Sequence, residues 1–299
     1  MKRSFIVLIL MVFLVACGHE EKEKPPVETT SMAAESESES PEQSETSSIA
    51  EESSIESSPE EERPETYTEE SSVEDIEESV LTEIDTTETW AGKRYMDIID
   101  DLGVIPEGMT NLLPEEAAGC PYPLEGYLLP MQYAVDEEIL KLPQLVDQSL
   151  AVLDTCMAEA DTDMSLHEVL TRASIVQIEA MRGGESEIAY PEVMPQIASV
   201  IENRLADGTP LQMDVTYRYA QFLIETAGLS EEDALAYDTY EASALPPGPI
   251  CMPSVEAVQA VLHPAETDDF FFVYDVDGNY YFAATYDEHL ANCEKAGIY

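Results

Sequence analysis

Apolar and polar positions change rhythm twice along this chain. Phe5–Leu14 is a short apolar run behind Lys2 and Arg3. From residue 18 to 88 all hydrophobic period disappears, as in Glu35-Ser36-Glu37-Ser38-Glu39-Ser40. From Trp90 onward aromatic and aliphatic residues recur at helix and strand spacing. Ser165-Leu166-His167-Glu168 has the form of a capping box, with Ser165 as N-cap and Glu168 reaching back. The helix it opens is expected to run to about Arg182 and stop at Gly183-Gly184. A second helix is expected from about Pro191 to Ala206, ending near Gly208. Leu211–Ala220 fits either a strand or a helix, and Ser230–Ala236 reads as a short helix. Leu245-Pro246-Pro247-Gly248-Pro249 excludes regular pairing and reads as an irregular loop. Ser254–Leu262 reads as a helix capped by Ser254. Phe270–Tyr274 and Tyr280–Ala284 flank Asp277-Gly278, the pattern of a hairpin. Thr285-Tyr286-Asp287-Glu288 forms a second capping box before a last helix. Helices and a hairpin in this order predict an α+β domain over residues 89–299.

Composition separates the remaining chain into an address and a tether. Lys2, Arg3 and the apolar run read as a secretory signal over residues 1–16, too short to span a bilayer. Leu14-Val15-Ala16-Cys17 has the form of a lipobox. Its cysteine thiol is expected to carry a diacylglyceryl group, and two acyl chains anchor stably where one does not. The mature chain is then expected to start at Cys17, on the extracytoplasmic face of the cell membrane. Residues 18–88 hold 25 acidic residues against three basic ones. Such a segment cannot bury enough surface to offset its chain entropy and reads as a disordered, self-repelling linker. A coil of that length spans about 45 Å. A cation- or partner-binding tail is the rival reading of the same segment.

Charge narrows the function. The formal net charge is −50, and residues 89–299 still carry 38 acids against eight bases. A nucleic-acid partner is excluded, because that role needs a basic face. Cys120, Cys156, Cys251 and Cys293 permit two disulfides or four free thiols. No pair has metal-ligand spacing, and no HExxH, CxxC, GxSxG or phosphate-cradling loop occurs, so neither metal nor cofactor is expected. Asp275, Asp277 and Asn279 alternate as calcium ligands do, but Gly278 is misplaced for such a loop, and a turn is the simpler reading. One carboxylate stands out. Glu179 lies in the last turn of its helix, with Ile175 and Val176 on the same face. Apolar neighbours and the negative helix end both raise a carboxyl pKa. A protonated glutamic acid is what a general acid in glycoside cleavage requires. Arg182, three residues on, would oppose this if it turned back.

Several segments also resemble one family in its motif order. Leu124-Glu125-Gly126-Tyr127-Leu128-Leu129-Pro130 resembles the LEGYLFP signature of the endolytic murein transglycosylase (YceG-like) family. Ala173-Ser174-Ile175-Val176-Gln177-Ile178-Glu179 resembles its ASIVEKE. Ala198–Leu205, Gly208 and Leu211-Gln212-Met213-Asp214 resemble its ASVFxNRL…G…LQxD run. Tyr237–Tyr240 resembles YNTY, and Leu245–Ile250 resembles the end of GLPPGPI. His263-Pro264-Ala265 and Phe270–Val273 resemble NPA…YLYFV. The set covers about residues 120–290.

The resemblance implies a lytic transglycosylase that cuts peptidoglycan glycan strands internally. The bond would be the β-1,4 link from N-acetylmuramic acid to N-acetylglucosamine, leaving a 1,6-anhydro-muramyl end. Glu179 would be the catalytic residue. Glu125, Asn203, Gln212, Asp214, Thr216 and Tyr240 become candidate substrate-binding residues. For Asn203 and Arg204 the rival reading is closure of a helix and support of the next loop. For Glu125 it is a bond to backbone, and for Tyr237 and Tyr240 it is core packing. Peptidoglycan synthases are the expected protein partners, and the setting fits a Gram-positive lipoprotein. The family pattern also leads one to expect an N-terminal LysM-like subdomain and a transmembrane anchor. Few folded residues precede residue 120, so the subdomain is expected to be missing or reduced, with lipidated Cys17 in place of the anchor. Gln177, Met131-Gln132, Val215, Met252 and Tyr280 depart from the pattern. If they disable the site, a peptidoglycan-binding or scaffolding lipoprotein on the same fold is the alternative.

Overall fold

The computed structural model describes residues 81–102, 113–136, 142–186, 189–240 and 244–298. The signal, Cys17 and the tether up to residue 80 lie outside the described residues. Strand β1 (Leu81–Asp85) pairs antiparallel with β2 (Gln132–Asp136), Ile84 opposite Tyr133. The ladder ends at Thr86, whose N–H and hydroxyl both donate to the Met131 carbonyl, each at 3.0 Å. Residues 81–88, expected in the tether, thus belong to the fold. Between these strands lie three short helices: α1 (Thr87–Trp90), α2 (Tyr95–Leu102) and α3 (Glu115–Ala118). Next comes α4 (Leu142–Ala160), which the sequence reading did not include. Its signal is the spacing of Leu142, Leu145, Val146, Ser149, Leu153 and Cys156, all buried along one stripe. The polar member of that stripe is satisfied. Ser149 Oγ lies 2.7 Å from the Tyr133 hydroxyl and accepts from Leu129 N–H at 3.1 Å.

The centre of the domain is α5 (Leu166–Glu179). Its capping box is formed: Ser165 Oγ accepts from Glu168 N–H at 3.2 Å, and Glu168 Oε2 accepts from Ser165 N–H at 2.8 Å. Burial runs around almost the whole helix, from His167 to Glu179, as expected for a helix inside a core and not on its surface. Around it pack α6 (Met194–Asp207), α7 (Asp214–Thr226) and α9 (Val255–Leu262). A 3-10 turn (Pro191–Val193) leads into α6, which ends at left-handed Gly208. The ambiguous segment resolves in two parts. Leu211–Met213 leads in without regular structure, and α7 then buries Val215, Tyr219, Ala220 and Leu223 on one face. A short helix, α8 (Glu231–Ala234), lies between α7 and α9, with Ser230 as its cap.

Polar atoms of α5 hold the proline-rich loop. Ser174 Oγ accepts from Ile250 N–H at 3.0 Å, and Gln177 Oε1 accepts from Ser254 N–H at 3.0 Å. His167 Nε2 sits 2.7 Å from the Pro247 carbonyl, so it must carry the proton there. Its Nδ1 then accepts from the Tyr127 hydroxyl at 2.8 Å. Two glycines let the loop pack closely, Gly126 by admitting it to the Leu124–Pro130 segment and Gly248 by admitting Cys120 and His167 to the loop. A Cβ on Gly126 (φ +84°) would fall 2.5 Å from Pro249 Cβ, and one on Gly248 would fall 2.5 Å from Cys120 Sγ.

The hairpin pairs β3 (Phe271–Tyr274) with β4 (Tyr280–Ala283), Phe272 opposite Phe282. Its loop is organised by Asp275. That carboxylate accepts from the N–H groups of Asp277 and Asn279, the Asn279 amide and the Tyr281 hydroxyl, all within 2.9 Å. These bonds hold its pKa down at about 2. The alternating acids therefore form a turn, and no cluster of three possible metal ligands occurs among the described residues. Helix α10 (Tyr286–Ala296) starts from the Thr285–Glu288 capping box and packs on the hairpin. Two small antiparallel sheets among many helices make this an α+β domain. Cys120, Cys156 and Cys251 are free thiols, and Cys293 Sγ lies 3.5 Å from His289 Nε2. No helix among the described residues is long and apolar enough to cross a membrane.

Gly126→Ala combines a left-handed backbone with overpacking against Pro249. It is expected to cost about 2–4 kcal/mol, read from the urea midpoint.

Candidate active site

The site grows from the end of α5. Glu179 is its last residue and is 6% exposed, with Ile175 and Val176 fully buried behind it. No hydrogen bond among the described residues engages its carboxyl oxygens. After Ala180 and Met181 the chain turns back through three left-handed residues in a row: Arg182 (φ +52°), Gly183 (+60°) and Gly184 (+87°). Two elements hold this turn. From the hairpin, the Tyr280 hydroxyl donates to the Glu179 carbonyl at 2.6 Å and accepts from Arg182 N–H at 3.0 Å. Arg182 Nη1 donates to the Val276 carbonyl at 2.7 Å. From α7, the Arg218 guanidinium donates to the Gly183 carbonyl. The Tyr274 hydroxyl fills the space where a Cβ on Gly183 would be, 2.9 Å from that position.

The first turn of α7 supplies a second carboxylate, of the same charge as an ionised Glu179. Asp214 is exposed at the helix start, and its carboxylate accepts from the Tyr240 hydroxyl. Burial, reinforced by Asp214 and opposed by Arg218, pushes the Glu179 carboxyl up to about 8. It is therefore predominantly a neutral acid at pH 7. Burial also raises the Tyr240 and Tyr274 hydroxyls, with Glu179 and Asp214 among the charges that add to it. Glu179, Asp214, Arg218, Tyr240 and Tyr274 thus form one electrostatic neighbourhood. The opposing cation is Arg218, because Arg182 is drawn off to Val276.

A family model described as "YceG-like family" matches residues 26–295. The chain belongs to the YceG-like family. It is 31% identical over 197 residues to the endolytic murein transglycosylase of Streptococcus pneumoniae (strain D39 / NCTC 7466), covering 62% of this chain and 34% of that one. It is 32% identical over 183 residues to the protein of the same name from Bacillus subtilis (strain 168), covering 58% and 48%. The chain thus matches less than half the length of these relatives. A crystal structure of a yceG-like protein from Listeria monocytogenes shares 28% identity over 66% of this chain and 67% of that one, with a TM-score of 0.49.

Within the family pattern, the residues expected to bind sugar divide into two groups. Asp214 and Tyr240 are bonded to each other and act on Glu179 through their charges, and Gln212 precedes them with its Oε1 accepting from Arg204 at 3.2 Å. The others are engaged inside the fold. Glu125, 2% exposed, accepts from Tyr95 N–H at 2.9 Å and the Tyr219 hydroxyl at 3.1 Å, and burial raises it to about 8. Asn203 donates to the Thr267 and Asp269 carbonyls, both at 2.9 Å. Arg204 donates to the carbonyls of Phe270, Pro210 and Leu211. Thr216 is fully buried between the Met213 carbonyl and the Thr239 hydroxyl. Tyr237 packs against Tyr219 in the core, centroids 5.3 Å apart.

The departures from the pattern mostly point inward. Met252 is fully buried, with its backbone bonded to Gly92 and Lys93. Val215 is buried in the first turn of α7, and Gln177 is buried as the neutral partner of Ser254 N–H. The Met131 backbone closes the β1–β2 ladder. Tyr280 bonds the backbone of the turn after Glu179, and Gln177 Nε2 reaches Met181 Sδ within it. Arg218 and Tyr274 escaped the sequence reading. Arg218 becomes visible once Asp214–Thr226 is a helix, because position 218 then shares a face with Asp214.

Two outcomes are expected by carbon NMR of the carboxyl groups and by denaturation. Asp214→Asn lowers the Glu179 titration midpoint and Arg218→Gln raises it. Glu125 and Glu179 are protonated in the native state at pH values where the unfolded chain ionises them. Stability therefore falls as pH rises from about 4.5 to 8, on the order of 3 kcal/mol per group. Glu125→Gln or Glu179→Gln flattens that decline.

Proposed function

We propose that this protein is an endolytic peptidoglycan lytic transglycosylase with Glu179 as acid and then base. The observation that carries the reading is a buried, neutral glutamic acid at a helix end, free of internal carboxyl hydrogen bonds, in a chain of this family. The other buried acid, Glu125, has both oxygens occupied by Tyr95 and Tyr219 and cannot serve.

The chemistry needs one carboxyl group. Glu179 passes its proton to the glycosidic oxygen as the bond from muramyl C1 breaks. The carboxylate then takes the proton of the muramyl 6-hydroxyl as that oxygen bonds to C1. Glu179 ends protonated as it began, no water is consumed, and a 1,6-anhydro ring closes. Because the attacking hydroxyl belongs to the substrate, the second carboxylate of ordinary glycosidases is not required. Asp214 disfavours early ionisation of Glu179, and Arg218 stabilises the carboxylate once it forms. The same proposal places the protein on the outer face of the cell membrane, held by acyl chains on Cys17, with the acidic tether giving reach and peptidoglycan synthases as protein partners.

The test is incubation of the full-length protein with intact peptidoglycan, followed by mass spectrometry. Internal fragments with 1,6-anhydro-muramyl ends are expected from the wild type and not from Glu179→Gln. Reducing ends formed by water, or undiminished cleavage by the variant, would refute the reading. The rate is expected to fall as pH rises through about 8, where Glu179 loses its proton.

A further inference from the structure

The end of α5 has two backbone needs. Its last carbonyls lack partners within the helix. Arg182 adopts a left-handed conformation that costs a residue with a Cβ some energy. Backbone gives the Glu179 carbonyl only a long bond, from Gly183 N–H at 3.5 Å, and one side-chain oxygen serves both needs. The Tyr280 hydroxyl donates to the Glu179 carbonyl and accepts from Arg182 N–H. The ring carrying it is held among Tyr190, Tyr274 and Phe282, with centroids 6.0, 5.6 and 6.4 Å away. The same hairpin reaches the turn twice more, through the Val276 carbonyl on Arg182 and the Tyr274 hydroxyl beside Gly183.

We propose that Tyr280 is a positioning residue for Glu179, its hydroxyl tying the hairpin to the end of α5 and keeping the Glu179 side chain in its buried place. A phenylalanine ring fills the same space but neither donates nor accepts. The turn then loses both bonds at once, and water gains access to the carboxyl. The consequence for turnover rests on the function proposed above; the positioning itself does not.

The experiment uses the full chain as wild type, Tyr280→Phe and Tyr281→Phe. Tyr281 is the control: its hydroxyl bonds Asp275 within the hairpin, away from Glu179. Carbon NMR follows the Glu179 carboxyl titration in each, and kcat and KM are measured on solubilised glycan strands. Tyr280→Phe is expected to lower the titration midpoint by about one unit as the carboxyl hydrates. It is also expected to cut kcat about tenfold while KM stays within about twofold. Tyr281→Phe is expected to leave both unchanged. An unmoved Glu179 midpoint in Tyr280→Phe overturns the proposal, even if thermal stability falls. Should the wild type cleave no glycan, the transglycosylase reading fails, and the titration alone decides the role of Tyr280.

Discussion

The candidate site turns on the burial of one carboxyl group at the carboxyl end of the central helix. Taking an ionised glutamate out of water without a matched cation is costly, so the group keeps its proton instead. The nearest charges do not undo this. Asp214 raises the cost of ionisation, and Arg218 only partly offsets it while spending a donor on the Gly183 carbonyl. The result is an acid poised near neutral pH, the condition for proton transfer in both directions.

Precision comes from where that carboxyl is mounted. Helix α5 is surrounded by the core, and its polar residues are matched to particular partners: Ser174 to Ile250, Gln177 to Ser254, His167 to Pro247 and Tyr127. The helix therefore has one seat in the fold. A site on such an element is held more tightly than one on a loop. The proline-rich loop and the Leu124–Pro130 segment contribute through packing, with Gly126 allowing their close approach and Gly248 that of the loop to His167 on α5.

Local chemistry was legible in the sequence, and distant partnership was not. Both capping boxes, the stop at Gly208 and the hairpin around Asp275–Asn279 follow from residues a few positions apart. So does the raised pKa of Glu179, because Ile175 and Val176 lie within one turn. Helix α5, by contrast, ends at Glu179, three residues before the expected Arg182, with Gly183-Gly184 in the turn that follows. The β1–β2 pair joins segments more than forty residues apart, with no turn between them to announce it. The identity of the cation near Glu179 is equally non-local. Sequence proximity suggests Arg182, while folding brings Arg218 from the next helix but one. The same limit explains Glu125, Asn203 and Thr216. Each is polar within a family motif, and only the tertiary structure shows that its hydrogen bonds are spent on backbone or buried hydroxyls. Conversely, Met252 and Val215 looked like losses to a site and are core residues.

The most direct measurement is the pH titration of the Glu179 carboxyl in the wild-type protein, followed by carbon NMR and assigned with Glu179→Gln. A midpoint near 8 is predicted, with the group neutral at pH 7. A midpoint near 4.5, the ordinary value for glutamate, would mean that the carboxyl is hydrated and ionised. It would contradict both its burial and the role proposed for it as the acid.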